Sequence, residues 1–257
     1  MPRNRLAVLN PGAMGAAVAA CLVGRGHEVG WWRTGRSEAT LHRAEQSGLV
    51  PFDDLGKLLN HSDIVFSICP PHGALEVARQ LADFRGIVVD ANAISPETSV
   101  LIGRTVTGGG RYVDGGIIGP PPVTAGTTRL YLAGDDGEVA SLFDGSALEV
   151  VRLAGAPPAA SALKMTYAAW TKTTAALLVS IRRTAAVYGV DDDLVTEWAI
   201  SQPQLAGAWL QARQQSHEKG WRWSYELAEV GRTFAAVGQP EGFGAAASEV
   251  FATSSAQ

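Results

Sequence analysis

The sequence predicts two architectures in one chain: an α/β domain with a mostly parallel sheet over residues 1–154 and an all-helical domain over 155–257. Three observations carry that division. Short apolar runs alternate with helical stretches as far as residue 153. Beyond residue 157 only helical patterns remain. The first apolar run also ends in a glycine-bearing turn that opens a helix of small residues.

The run Leu6-Ala7-Val8-Leu9 reads as the first strand, with others expected at 28–32, 64–69, 87–90, 112–117, 129–133 and 149–153. Helical patterns fill 14–24, 37–47, 53–59, 73–84 and 96–103. Strands that alternate with helices make a parallel sheet covered on both faces. In the second domain, residues 159–188 read as one helix, about 45 Å long at 1.5 Å per residue. Its first half is rich in Ala, Leu and Thr and poor in charge, so most of its circumference needs cover. A domain of about a hundred residues has too little chain to supply that cover alone. A homodimer through the C-terminal domain is therefore expected.

Composition narrows the function classes. Charged residues make up 18% and hydrophobic ones 46%, which suits a dense core rather than disorder. The net charge of −4 and the lack of a basic run argue against nucleic acid as a partner. No stretch has the roughly 18 consecutive apolar residues of a membrane span. The two cysteines, Cys21 and Cys69, sit in apolar settings, so a cytoplasmic protein without a disulfide framework is expected. The five histidines are scattered without ligand spacing, and no metal site is expected.

The turn Asn10-Pro11-Gly12-Ala13-Met14-Gly15 lies between the first strand and the first helix. Such a turn offers unpaired N–H groups and the positive end of a helix dipole, which suit a pyrophosphate. Gly12 and Gly15 hold the second and third places of a G-x-G-x-x-G pattern, and Asn10 stands in the first. Asn is the non-glycine residue best able to take a left-handed backbone, so it can stand in that place. The second strand then ends in Arg33-Thr34-Gly35-Arg36-Ser37, with two arginines, hydroxyls and no acid. An acid there would favour NAD, whereas Arg33, Thr34 and Arg36 suit a 2′-phosphate. The reading is a Rossmann-like domain that binds NADP(H).

Four further stretches carry a family resemblance. Met14 completes a G-x-M-G pattern, and Cys69-Pro70-Pro71 follows the strand expected at 64–69. Asp90-Ala91-Asn92-Ala93-Ile94-Ser95-Pro96 resembles a D-x-S-T-x-x-P motif, with Asn92 and Ala93 in place of hydroxyls. Residues 113–119 with Ala125-Gly126-Thr127 resemble a D-A-P-V-S-G-G loop followed by A-x-x-G-T. Lys164, following Gly155, resembles the lysine of a K-x-x-N-N helix. Over residues 5–170 the chain thus resembles the β-hydroxyacid dehydrogenase and 6-phosphogluconate dehydrogenase superfamily.

That resemblance implies Lys164 as general acid/base. It places the nicotinamide near Cys69, Pro70, Pro71 and Asn92, and the substrate near Gly116, Ile118, Gly119 and Pro120. The helix adds Tyr167, Ala168 and Thr171, which an unbroken α-helix would set around the face of Lys164. Hydride transfer to a carbonyl leaves a developing alkoxide, which an ammonium group can protonate or stabilise. Ile118 and Pro120 replace a Ser and a Gly of the motif, and Tyr167-Ala168 replace its Asn pair. The loss of polar groups argues against a sugar phosphate and for a small, fairly apolar carbonyl. Imine reduction on the same scaffold and non-catalytic NADP binding are the alternatives.

Overall fold

The computed structural model describes residues 4–135 and 137–254. The chain divides into two compact units, Met1–Lys164 and Met165–Gln257.

The first unit is an eight-stranded sheet. In chain order it runs β1 (Arg5–Val8), α1 (Ala13–Gly24), β2 (Glu28–Trp32), α2 (Glu38–Gln46), β3 (Val50–Phe52), α3 (Leu55–His61) and β4 (Ile64–Ser67). It continues with α4 (Ala74–Gln80), β5 (Ile87–Asp90), α5 (Pro96–Val106), β6 (Arg111–Ile118), β7 (Thr128–Ala133), α6 (Glu138–Ser141) and β8 (Leu148–Arg152). The strand order is β3-β2-β1-β4-β5-β6-β7-β8, and only the β6–β7 pair is antiparallel. The chain reverses direction across the sheet between β1 and β4, which opens a crevice at their carboxyl ends.

Strand alternation builds two cores. Leu6 and Val8 of β1 pack on one face with Val18, Ala19 and Leu22 of α1, whereas Ala7 and Leu9 face Leu58, Ala78 and Ile102 on the other. Both faces are buried, as the run of apolar strands predicted. One strand escapes the sequence reading. β3 is three residues long with Pro51 at its centre, and a proline demotes a run except at a sheet edge, where β3 lies.

The second unit is helical. α7 (Ala159–Ala168) crosses into it from the first unit, followed by a π-turn (Ala169–Thr173), α8 (Thr174–Val187), α9 (Asp191–Ser201), α10 (Leu205–Ala235) and α11 (Gly242–Ser254). Among the described residues no helix is long and apolar enough to cross a membrane. Its core joins Ala175, Ala176, Ala212, Leu227 and Ala247 to Trp223 and Phe251, whose rings meet edge-on at 5.2 Å.

The π-turn corrects the single unbroken helix expected over 159–188. It inserts an extra residue, so positions beyond it rotate by about 100° relative to α-helical spacing. Thr171 and Lys172 lie within this turn, and it is α8 beyond it that no longer follows the α-helical spacing from Lys164. α11 crosses α10 closely because both helices carry glycine there. A Cβ on Gly244 would stand 2.4 Å from the Gly231 nitrogen and 2.6 Å from the Leu227 oxygen. Gly244→Ala is expected to destabilise the chain by about 1–3 kcal/mol through overpacking. Gly242→Ala, which meets nothing within 4 Å, should leave the thermal melt nearly unchanged.

Candidate active site

The polar residues singled out in the N-terminal unit collect at the carboxyl ends of its strands. After β1, the Gly12 N–H donates to the Asn10 carbonyl at 2.8 Å, closing the turn. Gly15 must lack a side chain, because a Cβ would stand 2.4 Å from the Asn10 oxygen. Nothing lies within 4 Å of the Cβ position on Gly12, and α1 begins there without a side-chain cap. Pro11 and Gly15 are buried, Ala13 is exposed, and Met14 packs on the core. Asn10 does not use the left-handed conformation open to it, since among the described residues only glycines have positive φ. Its place needs a close backbone approach, which an ordinary dihedral allows. Its Oδ1 is buried without a hydrogen-bond partner.

After β2 the two arginines separate. Arg36 donates to the carbonyls of Trp32 (3.3 Å) and Leu9 (3.4 Å) and lies over the Trp32 ring. Arg33 pairs with Asp53, and the Thr34 hydroxyl donates to the Asp53 carbonyl at 2.6 Å. Asp53 escaped the sequence reading because β3 did. The end of β2 carries no acid of its own, but the neighbouring strand supplies one. Both partners of this pair are at least half exposed, so its contribution to stability is small.

After β4 and β5 one amide organises two loops. Asn92 is 2% exposed; its Oδ1 accepts from the Cys69 N–H at 2.6 Å, and its Nδ2 donates to Ser67 Oγ and Asp90 Oδ2. The amide is thus engaged within the protein and sets the course of the Cys69-Pro70-Pro71 turn. Pro70 is exposed at the rim. Burial first, then the Asp90 charge, pushes the Cys69 thiol up to about 12, which excludes a thiolate at neutral pH.

The sequence reading also missed a buried polar network behind these loops. Asp90 and Asp114 are register partners on β5 and β6, and both are buried. Asp114 accepts four hydrogen bonds: from the Ala160 and Ser161 N–H groups, from Ser161 Oγ and from Ser99 Oγ. Ser99 spends its one proton on Asp114, so the Tyr112 hydroxyl donates to Ser99 Oγ at 2.8 Å. Burial raises Asp114, and the donors oppose that rise. For Asp90, burial is the largest cause of a shift up to about 7; the Asn92 N–H opposes it and the Asp114 charge adds to it. Two serines, one early in α5 and the other early in α7, give no periodic signal of such a network.

Gly116, two residues beyond Asp114, lies under α7. A Cβ there would stand 2.8 Å from the Ala160 oxygen and 3.1 Å from Lys164 Cβ. Lys164 is half-buried at this crossing. Ile118 is buried, whereas Gly119 (φ +128°) and Pro120 are exposed at the turn that reverses the chain into β7. The remaining candidates belong to the helical unit. Tyr167 is 48% exposed and Ala168 is buried. The Thr171 hydroxyl turns back to the Tyr167 carbonyl at 3.3 Å. Lys172, one residue on, pairs with Glu226 and lies over the Trp223 ring.

Comparison with known proteins places this architecture. A domain of unknown function, DUF1932, matches residues 185–254. An uncharacterized 28.5 kDa protein of Methanothermus fervidus is 30% identical over 162 residues, and the match spans 63% of this chain and 63% of that protein. A solved conserved protein of unknown function, described as structurally similar to 3-hydroxyacid dehydrogenases, superposes at TM-score 0.72 with 26% identity, over 98% of this chain and 97% of that one. A 3-hydroxyisobutyrate dehydrogenase of Mycobacterium tuberculosis, solved with L-serine, gives 0.73 at 19% identity, over 99% and 94%. The chain has the fold of the β-hydroxyacid dehydrogenase superfamily. A reductive aminase from Aspergillus terreus, in complex with NADPH and ethyl-5-oxohexanoate, shares this superfamily fold at TM-score 0.62 and 14% identity, over 99% and 94%.

The Asp90 carboxyl makes stability depend on pH. Its pKa rises from 3.8 to about 7 on folding, so the folded chain binds the proton more tightly. The resulting stabilisation is full below about pH 3.8 and is lost as pH rises through about 7. Between pH 5 and pH 8 the wild-type melting temperature should fall relative to that of Asp90→Asn. Parallel melts across that range check the sign.

Proposed function

We propose that this chain is an NADP(H)-dependent oxidoreductase that reduces a small, fairly apolar carbonyl, with Lys164 as general acid/base. The observation that carries the reading is the gathering, along one edge of one sheet, of an open turn at Gly12, two arginines and a lysine. The uncapped start of α1 and the space over Gly12 fit a pyrophosphate, and the buried Asn10 amide oxygen has a polar valence for a ligand to satisfy. Arg33 and Thr34 stand at the rim for a 2′-phosphate, with Arg36 beside the turn. When bound, the dinucleotide would supply the hydride. Asn92 fixes the turn of Cys69, Pro70 and Pro71 against which the nicotinamide would rest. Lys164 then gives its proton to the substrate oxygen as charge builds there, yielding an alcohol.

Gly116, Ile118, Gly119 and Pro120 are the proposed substrate-side residues of the N-terminal unit; in the helical unit, taken by itself, the candidates are Tyr167, Ala168 and Thr171. The apolar replacements among them favour a second reading, reduction of an imine, and the reductive aminase likeness supports it. Free cysteines fit a cytoplasmic setting. Leu177, Val187, Tyr188, Ile200 and Leu210 are all more than half exposed on the helical unit, which supports a homodimer formed through it.

Two experiments test this function. NADPH titration followed by emission of the seven tryptophans should give saturable binding stronger than that of NADH. Gly12→Ala should weaken that binding about tenfold or more by filling the turn, without lowering the melting temperature, and Arg33→Ala should erase the preference for NADPH. Equal affinity of wild type and Gly12→Ala would remove the turn from the cofactor site. A panel of aliphatic ketones, aldehydes and cyclic imines should then reveal NADPH oxidation. Lys164→Ala should slow carbonyl turnover by about a hundredfold or more; a rate unaffected by that change would take the lysine out of the chemistry.

A further inference from the structure

We propose that Asp114 is a positioning residue, whose buried carboxylate anchors the first turn of α7 and thereby sets where Lys164 stands over β6. The inference deepens the reading of Lys164 and rests on it for its functional meaning. Its geometry is independent of that reading.

The N–H groups of the first turn of a helix have no partner within the helix. In α7, those of Ala160 and Ser161 donate to Asp114 Oδ2 at 2.8 and 3.0 Å, and the Ser161 hydroxyl donates to Oδ1. A side chain 46 residues away in sequence thus does the work of an N-cap, with the helix dipole adding attraction for its negative charge. One turn later the backbone is held again, where Gly116 leaves room for the Ala160 oxygen and Lys164 Cβ.

The two holds are in register. Residues 114 and 116 share one face of β6 and lie about 6.7 Å apart along the strand. Residues 160 and 164 are about 6.0 Å apart along the helix axis. The helix therefore follows the strand, with a polar clamp at Asp114 and a close contact at Gly116. Gly116 limits how near α7 comes but does not prevent it sliding along β6. The Asp114 clamp does, because four donors converge on it from two directions. An ionised carboxylate only accepts, so it satisfies all four; an amide would turn its own N–H groups toward some of them.

The same carboxylate faces the dinucleotide side of the unit. Asp90, its register partner, accepts from both the backbone and the side chain of Asn92, and Asn92 holds the Cys69 turn. The turn proposed for the nicotinamide and the helix bearing the lysine are thus referenced to two adjacent strand positions.

The test reads Lys164 directly. The chain has four lysines, so reductive methylation with ¹³C-formaldehyde gives a short spectrum in which Lys164→Arg assigns one resonance. In Asp114→Asn that resonance should move, NADPH affinity should stay within about twofold, and carbonyl turnover should fall at least about tenfold through misplacement. A merely structural role would lower the melting temperature and leave the Lys164 resonance where it is. Ser161→Ala, which removes one donor, should produce the same shift at smaller size, and it serves if Asp114→Asn does not fold. An unmoved Lys164 resonance in either folded variant overturns the anchor. Turnover that survives Lys164→Ala overturns the catalytic reading instead, and the spectra separate the two failures.

Discussion

The reversal of strand order between β1 and β4 is the constraint on which the candidate site depends. Helices α1 and α4 leave the sheet on opposite faces there, so neither covers the strand ends, and a crevice remains. Asn10, the arginines after β2 and Asn92 reach that crevice or its margins by following a strand to its carboxyl end. The chemistry needs no special backbone beyond this. Asn10 keeps an ordinary dihedral, and the positive φ of Gly119 lies where β6 folds back into its antiparallel pairing with β7.

Much of this was legible in the sequence because period-2 burial on both faces leaves apolar runs that cannot be misread. β2 and β5 fall where those runs do. The turn at Gly12 and Gly15 was equally plain, since backbone crowding at Gly15 admits no side chain. Three features were not legible, each for a different reason. β3 hides behind Pro51, which is tolerable only at an edge that the sequence cannot announce, and Asp53 was lost with it. The π-turn at 169–173 leaves no composition signature, so the change of helical spacing it introduces could not be read. The donors to Asp114 come from two separate elements, α5 and α7, with Tyr112 of β6 behind Ser99, and no local pattern links Ser99, Ser161 and Tyr112 before the fold assembles them.

The two units handle buried charge differently. In the sheet unit the acids are crowded by burial, and hydroxyl and amide donors disperse their charge. In the helical unit Lys172 and Glu226 neutralise one another beneath Trp223, with about a tenth of each side chain exposed. Breaking such a pair by removing one partner leaves the other buried and uncompensated, which is costlier than the pair itself is stabilising. The pairing explains how a lysine can sit in the π-turn of a lightly charged helix with little of it reaching solvent.

The row of strand ends also acts as a ruler. From β2, which ends in the arginines, to β6, which carries Gly116 beneath Lys164, the sheet takes four interstrand steps. At 4.7–4.9 Å per step these span roughly 19 Å. A ligand that touches both ends must be extended and have two well-separated polar or planar parts.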